Sequence, residues 1–522
     1  MPRSLQRLLI FLVLLVPSAH YAWSERRMPD FGYLHDDGLF FISAKSLASG
    51  AFRIESLPEQ SAQTKFPPLY PLYLSLAWRI NPHFPENLPV AALLSWIVLA
   101  ACAALAWTLY YHSKMGEVRA WILTALLAAN PYVILFGTRM FSEIFFTCLV
   151  LATFLLLRRG NLKFAALAGL MAGLAYLSRT AGVALLVSVP LVLLWKRESR
   201  RAAVFAGTML PFVLAWSLWT RAHMASGDQT LIYYTDYVRY QFLNVGFDNL
   251  GIVLWKNIDQ VLYGIGSLAL PKVFDILPLK ILTQVIGIAM IAGTIRLVRR
   301  GVMLQYAAFA LVSIGMLLVW HFPPTERFVL PLFPLLIAGL LEELQHLAKL
   351  LRAGFAHRDA SQRVMAGIFA AIAVAIFGGA LVVQGYVTFA FLDASAREKE
   401  SKLHDLRAAY TWIEANLPPS ANVLSYDDPL LYLYTGRLGN YLPLLPRWWY
   451  AEDHASIVSA YRNIADYSRS RNLSYVLFTT QDLSRETGEE DRQAIEKSLQ
   501  ENPRLKPVYR TGIATIYRVT AP

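Results

Sequence analysis

Asp36 and Asp37 stand side by side in Asp30-Phe31-Gly32-Tyr33-Leu34-His35-Asp36-Asp37-Gly38, a short acidic stretch between hydrophobic blocks. Carboxylates are costly beside a membrane bundle, so a chain that keeps two there has chemistry or ion traffic for them. Phe31, Tyr33, Leu34, Leu39, Phe40 and Phe41 frame the pair. Two carboxylates in partly apolar surroundings repel each other, and at least one pKa rises. A raised carboxylate is the usual device for taking a proton from a hydroxyl. A divalent cation held between Asp36 and Asp37 is the alternative device, and two solvated loop carboxylates are the bland reading. Further along, Lys65-Phe66-Pro67-Pro68-Leu69-Tyr70-Pro71 sets a cation beside a rigid turn. The first stretch reads as a general base facing an acceptor, the second as part of a site for an anionic leaving group.

The elements that must position these residues are membrane helices. Of the 522 residues, 56% are hydrophobic and 16% charged, against about 25% charge in a soluble chain. Apolar runs of about 18 to 25 residues recur, long enough to cross a bilayer, and a satisfied backbone there requires helices. The net charge of +12 is topogenic. Lys and Arg gather in short loops, as in Arg158, Arg159 and Lys163, Lys196 to Arg201, or Arg296 to Arg300, which hold few acids. That is the pattern of cytoplasmic loops. No basic stripe with interleaved aromatics appears, which excludes nucleic acid. Cys102 and Cys148 lie inside apolar runs and read as packing, without a disulfide framework or a cysteine metal site.

Arg3 and Arg7 precede Leu8–Val16. This reads as an uncleaved first helix with its N-terminus in the cytoplasm; a cleaved signal peptide ending near residue 22 is the alternative. Residues 24–68 form the first outer loop, and Leu69–Ile80 is too short to span, so it lies at the interface. Further spans are predicted near 88–111, 118–136, 139–158, 162–177, 180–195, 202–220, 278–298, 302–320, 326–346 and 366–391, eleven with the first. The Asn130-Pro131 pair ends or kinks a helix. An odd count sends the C-terminus outside. Residues 221–277, with Tyr233, Tyr237, Tyr240 and Trp255, suit a helix lying along the interface. From residue 394 the composition turns soluble. Helix and strand patterns alternate to residue 522, predicting a small α/β domain. The expected domains are thus a transmembrane bundle, 1–393, and an extracytoplasmic domain, 394–522.

Several charged residues at helix ends are candidates for substrate contacts. Arg327 starts a helix after His321-Phe322-Pro323-Pro324. A cation at a helix N-terminus opposes the dipole, so an anionic partner is expected. His321 reads as an assisting group, a metal ligand or a plain interfacial histidine. Arg139 and Glu143 head another helix. Glu143 suits a first turn and equally suits a sugar hydroxyl or an acceptor, and Arg179 is placed to pair with it. For the remaining outer cations, Arg26, Arg27, Arg53, Arg221 and Arg239, snorkelling to the headgroups is the competing reading.

Asp36-Asp37-Gly38 with the following Ala44 and Gly50, then Phe66-Pro67-Pro68-Leu69-Tyr70-Pro71, resembles the first extracytoplasmic loop of the GT-C glycosyltransferases. The closest group is the protein-mannosyltransferase and aminoarabinose-transferase-like branch. The tail, with Trp412-Ile413, Pro418-Pro419, Val423-Leu424-Ser425 and Leu430 to Arg437, resembles the periplasmic domain of bacterial members. The resemblance implies a GT-C-like bundle, and transfer of a sugar from a polyprenyl-phosphate carrier to an acceptor hydroxyl at the outer face of the inner membrane. It implies Asp36 as base, with Asp37 standing where the family has Glu. Lys65, separated from the prolines by Phe66, and Arg327 are implied phosphate contacts. Glu143, Arg139, His321 and Tyr33 complete the expected substrate site. Donor lipid and membrane are the expected partners of a monomer. A transporter or flippase is the competing class; the chain shows no inverted repeat and almost no mid-helix charge.

Overall fold

The computed structural model describes residues 2–32, 35–274, 276–484 and 487–520, without the side chains of residues 241–244, 402 and 449. Backbone contacts divide the chain into two compact units. A helical unit comprises Met1–Arg26, Ala92–Leu214 and Leu254–Ala394; a mixed unit comprises Arg27–Ala91, Ala215–Val253 and Ser395–Pro522.

Every predicted span falls on helix. Among the described residues, six helices are long and apolar enough to cross a membrane: Arg3–Ser24, Leu88–His112, Ser199–His223, Leu277–Arg299, Glu326–Phe355 and Ala360–Asn416. Glu117–Ala128 and Pro131–Thr138 make one further span only as a pair bent by 61°. Ser142–Leu157, Leu162–Ser178, Thr180–Trp195 and Leu304–Leu318 are apolar but shorter.

The bend has a local cause. Pro131 offers no N–H to continue the helix, and the Asn130 side chain accepts from the N–H groups of Tyr132 and Val133. Asn130 thus caps a new helix, while its Nδ2 donates to the Leu268 carbonyl at 2.7 Å.

Lipid tails are as apolar as leucine, so membrane helices associate by close packing at small residues. Leu277–Arg299 and Phe333–Phe355 meet in this way. A Cβ on Gly293 would fall 1.9 Å from the Gly339 carbonyl oxygen, and one on Gly339 would fall 2.5 Å from that of Met290.

In the mixed unit the tail forms a five-stranded sheet of order β2-β1-β3-β5-β4. The strands are β1 (Val423–Ser425), β2 (Gly439–Asn440), β3 (Tyr475–Thr479), β4 (Leu505–Arg510) and β5 (Ala514–Val519). β1 pairs in parallel with β2 and β3; β5 pairs antiparallel with β3 and β4. Leu424, Ile457, Tyr461, Ile464, Val476, Ile495 and Tyr517 are in its core. Sequence pattern finds four of the strands; β2, two residues long, carries no pattern. Between β2 and β3 run two successive helices, His454–Arg462 and Ile464–Ser470. The β1-to-β2 crossover is the tail helix Asp428–Thr435, so its N-terminus stands at the carboxyl end of β1, where open α/β sheets place ligands and reactive groups. The same unit contains the acidic helix Asp36–Ala48, the predicted interfacial helix Leu69–Ile80, and the tyrosine helix Gln229–Thr235.

Gly339→Leu is expected to lower the thermal unfolding midpoint of the protein in detergent, at a cost of about 1–3 kcal/mol. Tryptophan fluorescence reads the midpoint, and an unchanged value would show that these two helices do not touch there.

Candidate functional site

The acidic helix opens with Asp36 and Asp37 in its first turn, where negative charge suits the helix dipole. The two carboxylates differ. Asp36 is half-buried, whereas Asp37 is 3% exposed. Asp37 Oδ2 accepts from the Gly32 N–H at 2.8 Å and Oδ1 from the Gly38 N–H at 3.0 Å. Burial pushes the Asp37 pKa up to about 6, against the pull of those two N–H groups; Asp30 and Asp36 add to the rise. The rise expected from the sequence therefore falls on Asp37, with burial ahead of repulsion. Because both Asp37 oxygens are committed to backbone, the pair is a poor cradle for a divalent cation. No group of three or more His, Cys, Asp or Glu gathers among the described residues. Tyr33 lies outside the described residues.

Two glycines seat this loop on the tail helix. Gly32 has φ +88°, and a Cβ there would lie 1.7 Å from Leu430 Cδ1; a Cβ on Gly38 would lie 2.6 Å from Pro429 Cβ. Only glycine lets the backbone take that angle and lie that close. A cavity of about 300 Å³ beside the loop is lined by Asp30, Phe31, Asp427, Leu430 and Asp482. One of about 510 Å³, lined by Lys45, Trp78, His83 and Phe84, lies near the far end of the acidic helix.

His35, the residue before the helix, takes φ +61°, a region that L-residues enter rarely and at a cost. Its Nε2 lies 2.8 Å from Asp428 Oδ1, and Asp428 is fully buried. Tyr234 donates to the same oxygen at 2.8 Å and accepts from the Tyr441 N–H. The rings of Tyr233, Tyr234 and Tyr441 surround the imidazole at 5.8 to 6.1 Å between centroids. Lys65 is buried against Tyr233. Its Nζ sits 3.9 Å from the Tyr233 ring centroid, 5.0 Å from that of Tyr237 and 5.5 Å from that of Phe66, a cation–π cage. The Tyr233 phenol is pushed well above its ordinary value by burial first and then by the charge of Asp36. Asp36, His35 and Lys65 thus act on one phenol. Sequence reading missed His35, Tyr233, Tyr234 and Asp428. Their only signal is the Tyr233-Tyr234 doublet and the Asp427-Asp428-Pro429 helix start.

The remaining candidates belong to the helical unit. Glu143 is fully buried in the first turn of Ser142–Leu157. Its Oε1 accepts from Arg179 Nη1 at 2.6 Å and from Arg327 Nε. The anionic partner expected for Arg327 is therefore Glu143, and Arg327 also lies over the Phe141 ring at 4.7 Å. Arg139, 2% exposed, donates to the Tyr21 hydroxyl at 3.1 Å and to the Glu25 carbonyl at 3.4 Å, tying it to the end of the first helix. His321 is buried after Leu304–Leu318.

These environments have measurable consequences. An unfolded aspartate titrates near ~3.9, so between about pH 4 and 6 the folded chain holds a proton on Asp37 that the unfolded chain has lost. The contribution is full at low pH and falls as pH rises through that window, by roughly 3 kcal/mol in all. Asp37→Asn is expected to remove this slope from unfolding midpoints recorded in detergent from pH 4 to 7; a slope that survives assigns it elsewhere. Glu143→Gln removes the charge that Arg179 and Arg327 share and is expected to cost about 3–5 kcal/mol in the same assay, whereas Glu143→Asp is expected to cost less.

The model of Glycosyltransferase family 87 matches residues 69–324, just under half of the chain. No curated protein matches. Among solved structures, ArnT from Cupriavidus metallidurans bound to undecaprenyl phosphate is similar over 99% of this chain and 98% of its own, at 13% identity and a TM-score of 0.53. The archaeal oligosaccharyltransferase AglB from Archaeoglobus fulgidus, in complex with an inhibitory peptide and a dolichol-phosphate, is similar over 99% of this chain and 74% of its own, at 13% identity and a TM-score of 0.53. At such identity the likeness is one of fold. A glycosyltransferase family model matched over just under half of the chain, and a fold like those of ArnT and AglB, make this chain similar to the GT-C membrane glycosyltransferases.

Proposed function

We propose that the chain moves a sugar from a polyprenyl-phosphate-linked donor to an acceptor hydroxyl, inverting the anomeric centre. The observation that carries this reading is the meeting of His35, the residue before Asp36, and of Lys65 on Tyr233 within one compact unit. A half-buried carboxylate and a caged ammonium then belong to the same unit. The undecaprenyl phosphate on ArnT and the dolichol-phosphate on AglB support the lipid-phosphate class of carrier.

In this reading Asp36 takes the proton of the acceptor hydroxyl, and the freed oxygen attacks the anomeric carbon. The bond from that carbon to the phosphate oxygen breaks, and polyprenyl phosphate leaves. Negative charge grows on the phosphate as the bond breaks, so a fixed cation stabilises the transition state more than the ground state. Lys65 supplies that cation, held on aromatic faces away from water. Asp37 takes the supporting role, closing the loop through Gly32 and Gly38. Arg327, Arg139 and His321 are kept for anionic or polar groups met by the helical unit. The distribution of Lys and Arg supports a bacterial inner-membrane protein with a cytoplasmic N-terminus and an outward tail. Neither the glycosyltransferase match nor the fold favours a transporter.

Purified protein given a panel of radiolabelled polyprenyl-phospho-sugars, with inner-membrane lipid extract as acceptor, is expected to transfer label. Asp36→Asn is expected to lose about 10²–10⁴ of the rate, and Lys65→Met about 10²–10³ in kcat. Undiminished turnover by Asp36→Asn rejects the assigned base.

A further inference from the structure

The cavity of about 300 Å³ beside the acidic loop has a defined place in the tail sheet. The strand order is β2-β1-β3-β5-β4. From β1 the chain turns to β2 on one flank. From β3 it runs through the helix Glu489–Glu501 to β4 on the other flank. The carboxyl ends of these two neighbouring parallel strands therefore lead away in opposite directions. Such a divergence opens a crevice, and open α/β sheets hold their ligands there. The cavity is lined by both ends: Tyr426 and Asp427 follow β1, Thr479 ends β3, and Gln481 and Asp482 come just after it. Asp30 and Phe31 of the acidic loop form another wall, and Ser395, Glu398 and Lys399 of the helix Leu392–Asn416 a third. All of these residues belong to the mixed unit.

The lining selects the ligand. Asp30, Glu398, Asp427 and Asp482 bring four carboxylates against one ammonium, Lys399, whose Nζ lies 3.8 Å from Asp30 Oδ2. That field repels phosphate, so the lipid-phosphate donor does not suit this cavity. The carboxylates do not gather as metal ligands either: among the described residues no group of three or more His, Cys, Asp or Glu could hold an ion. They come from four separate stretches of chain, and Asp482 already accepts from the Thr479 N–H at 3.0 Å. Between them the wall is apolar, with Phe31, Tyr426, Leu403 and Leu406. A sugar ring matches this alternation. Its hydroxyl rim donates to carboxylates, which only accept, and its C–H faces pack on apolar side chains. The volume is at the lower end for ligand pockets, room for a small saccharide. We propose that this cavity binds a neutral saccharide belonging to the acceptor. The assignment rests on the transferase reading and narrows it, making the acceptor a glycan rather than a bare lipid or peptide.

Binding is measured without donor, by saturation-transfer NMR on purified full-length protein in a detergent that has no sugar headgroup. The probes are the neutral disaccharides cellobiose, lactose and mannobiose, with tetralysine and inorganic phosphate as cationic and anionic comparisons. At least one disaccharide is expected to receive saturation, and phosphate none. Ser395→Trp fills the cavity from its helical wall and is expected to abolish the disaccharide signal. Glu398→Ala and Gln481→Ala are milder changes, each expected to weaken disaccharide binding by about three- to tenfold. Unfolding midpoints show that each variant is folded. Asp36 is not among the described lining, so Asp36→Asn is expected to keep the signal while losing transfer. Four results would each overturn the proposal: no disaccharide signal, a signal from tetralysine alone, a signal that survives Ser395→Trp, or one lost in Asp36→Asn. Should Ser395→Trp fail to fold, wild-type affinity in both alanine variants has the same force. Failure to transfer label from any donor removes the glycosyltransferase reading, whereas the four results above remove the role of the cavity while that reading stands.

Discussion

A carboxylate buried between two backbone N–H groups holds the acidic loop closed. Asp37 spans from Gly32 to Gly38, and burying its charge is tolerable only because both oxygens are hydrogen-bonded. Successive side chains on a helix point about 100° apart, so fixing Asp37 inward turns its neighbour Asp36 elsewhere. The closed loop lies on Pro429 and Leu430 through two glycines that have no room for a side chain. The loop's shape therefore depends on the tail helix, and that helix depends on the sheet whose first crossover it forms. Three separate stretches of chain build one polar unit.

Around that loop the side chains are aromatic rather than aqueous. Lys65 sits on tyrosine faces, and His35 lies inside a ring of three tyrosines. In such surroundings each hydrogen bond is stronger than in water and each unmet polar atom costs more. The direction in which one hydroxyl points then has consequences that it would lack at a wet surface. The cation–π cage also presents an ammonium with part of its water already removed, which sharpens its response to charge developing nearby.

What was legible in the sequence was local. Asp36 and Asp37 announce themselves by charge in an apolar frame, and Leu69–Ile80 by its length between prolines. The break at Asn130-Pro131 is written in one capping side chain and one missing donor. The β1, β3, β4 and β5 strands follow from apolar runs bounded by turns. Pairings across the chain were less legible. His35 and Asp428 lie 393 positions apart, and neither carries a local mark of its partner. Tyr233 and Tyr237 have the spacing of an interfacial belt; that they close over Lys65 depends on tertiary packing. Gly32 and Gly38 look like ordinary loop glycines until Leu430 and Pro429 arrive. The partner of Arg327 was only half legible: a cation at a helix start asks for an anion, but sequence reading paired Glu143 with Arg179, and that Arg327 shares it depends on tertiary packing.

That last cluster is an argument about charge as much as about stability. Glu143 is shared by Arg179 and Arg327 in the helical unit, so one carboxylate meets two guanidinium groups. A buried ionic triad is commonly no more stable than well-packed apolar residues of the same volume, because desolvation consumes most of the Coulombic gain. Stability alone therefore gives little reason to retain three charges there. The buried Oε2 of Glu143, unpartnered among the described residues, points the same way; a purely structural clamp would use both oxygens.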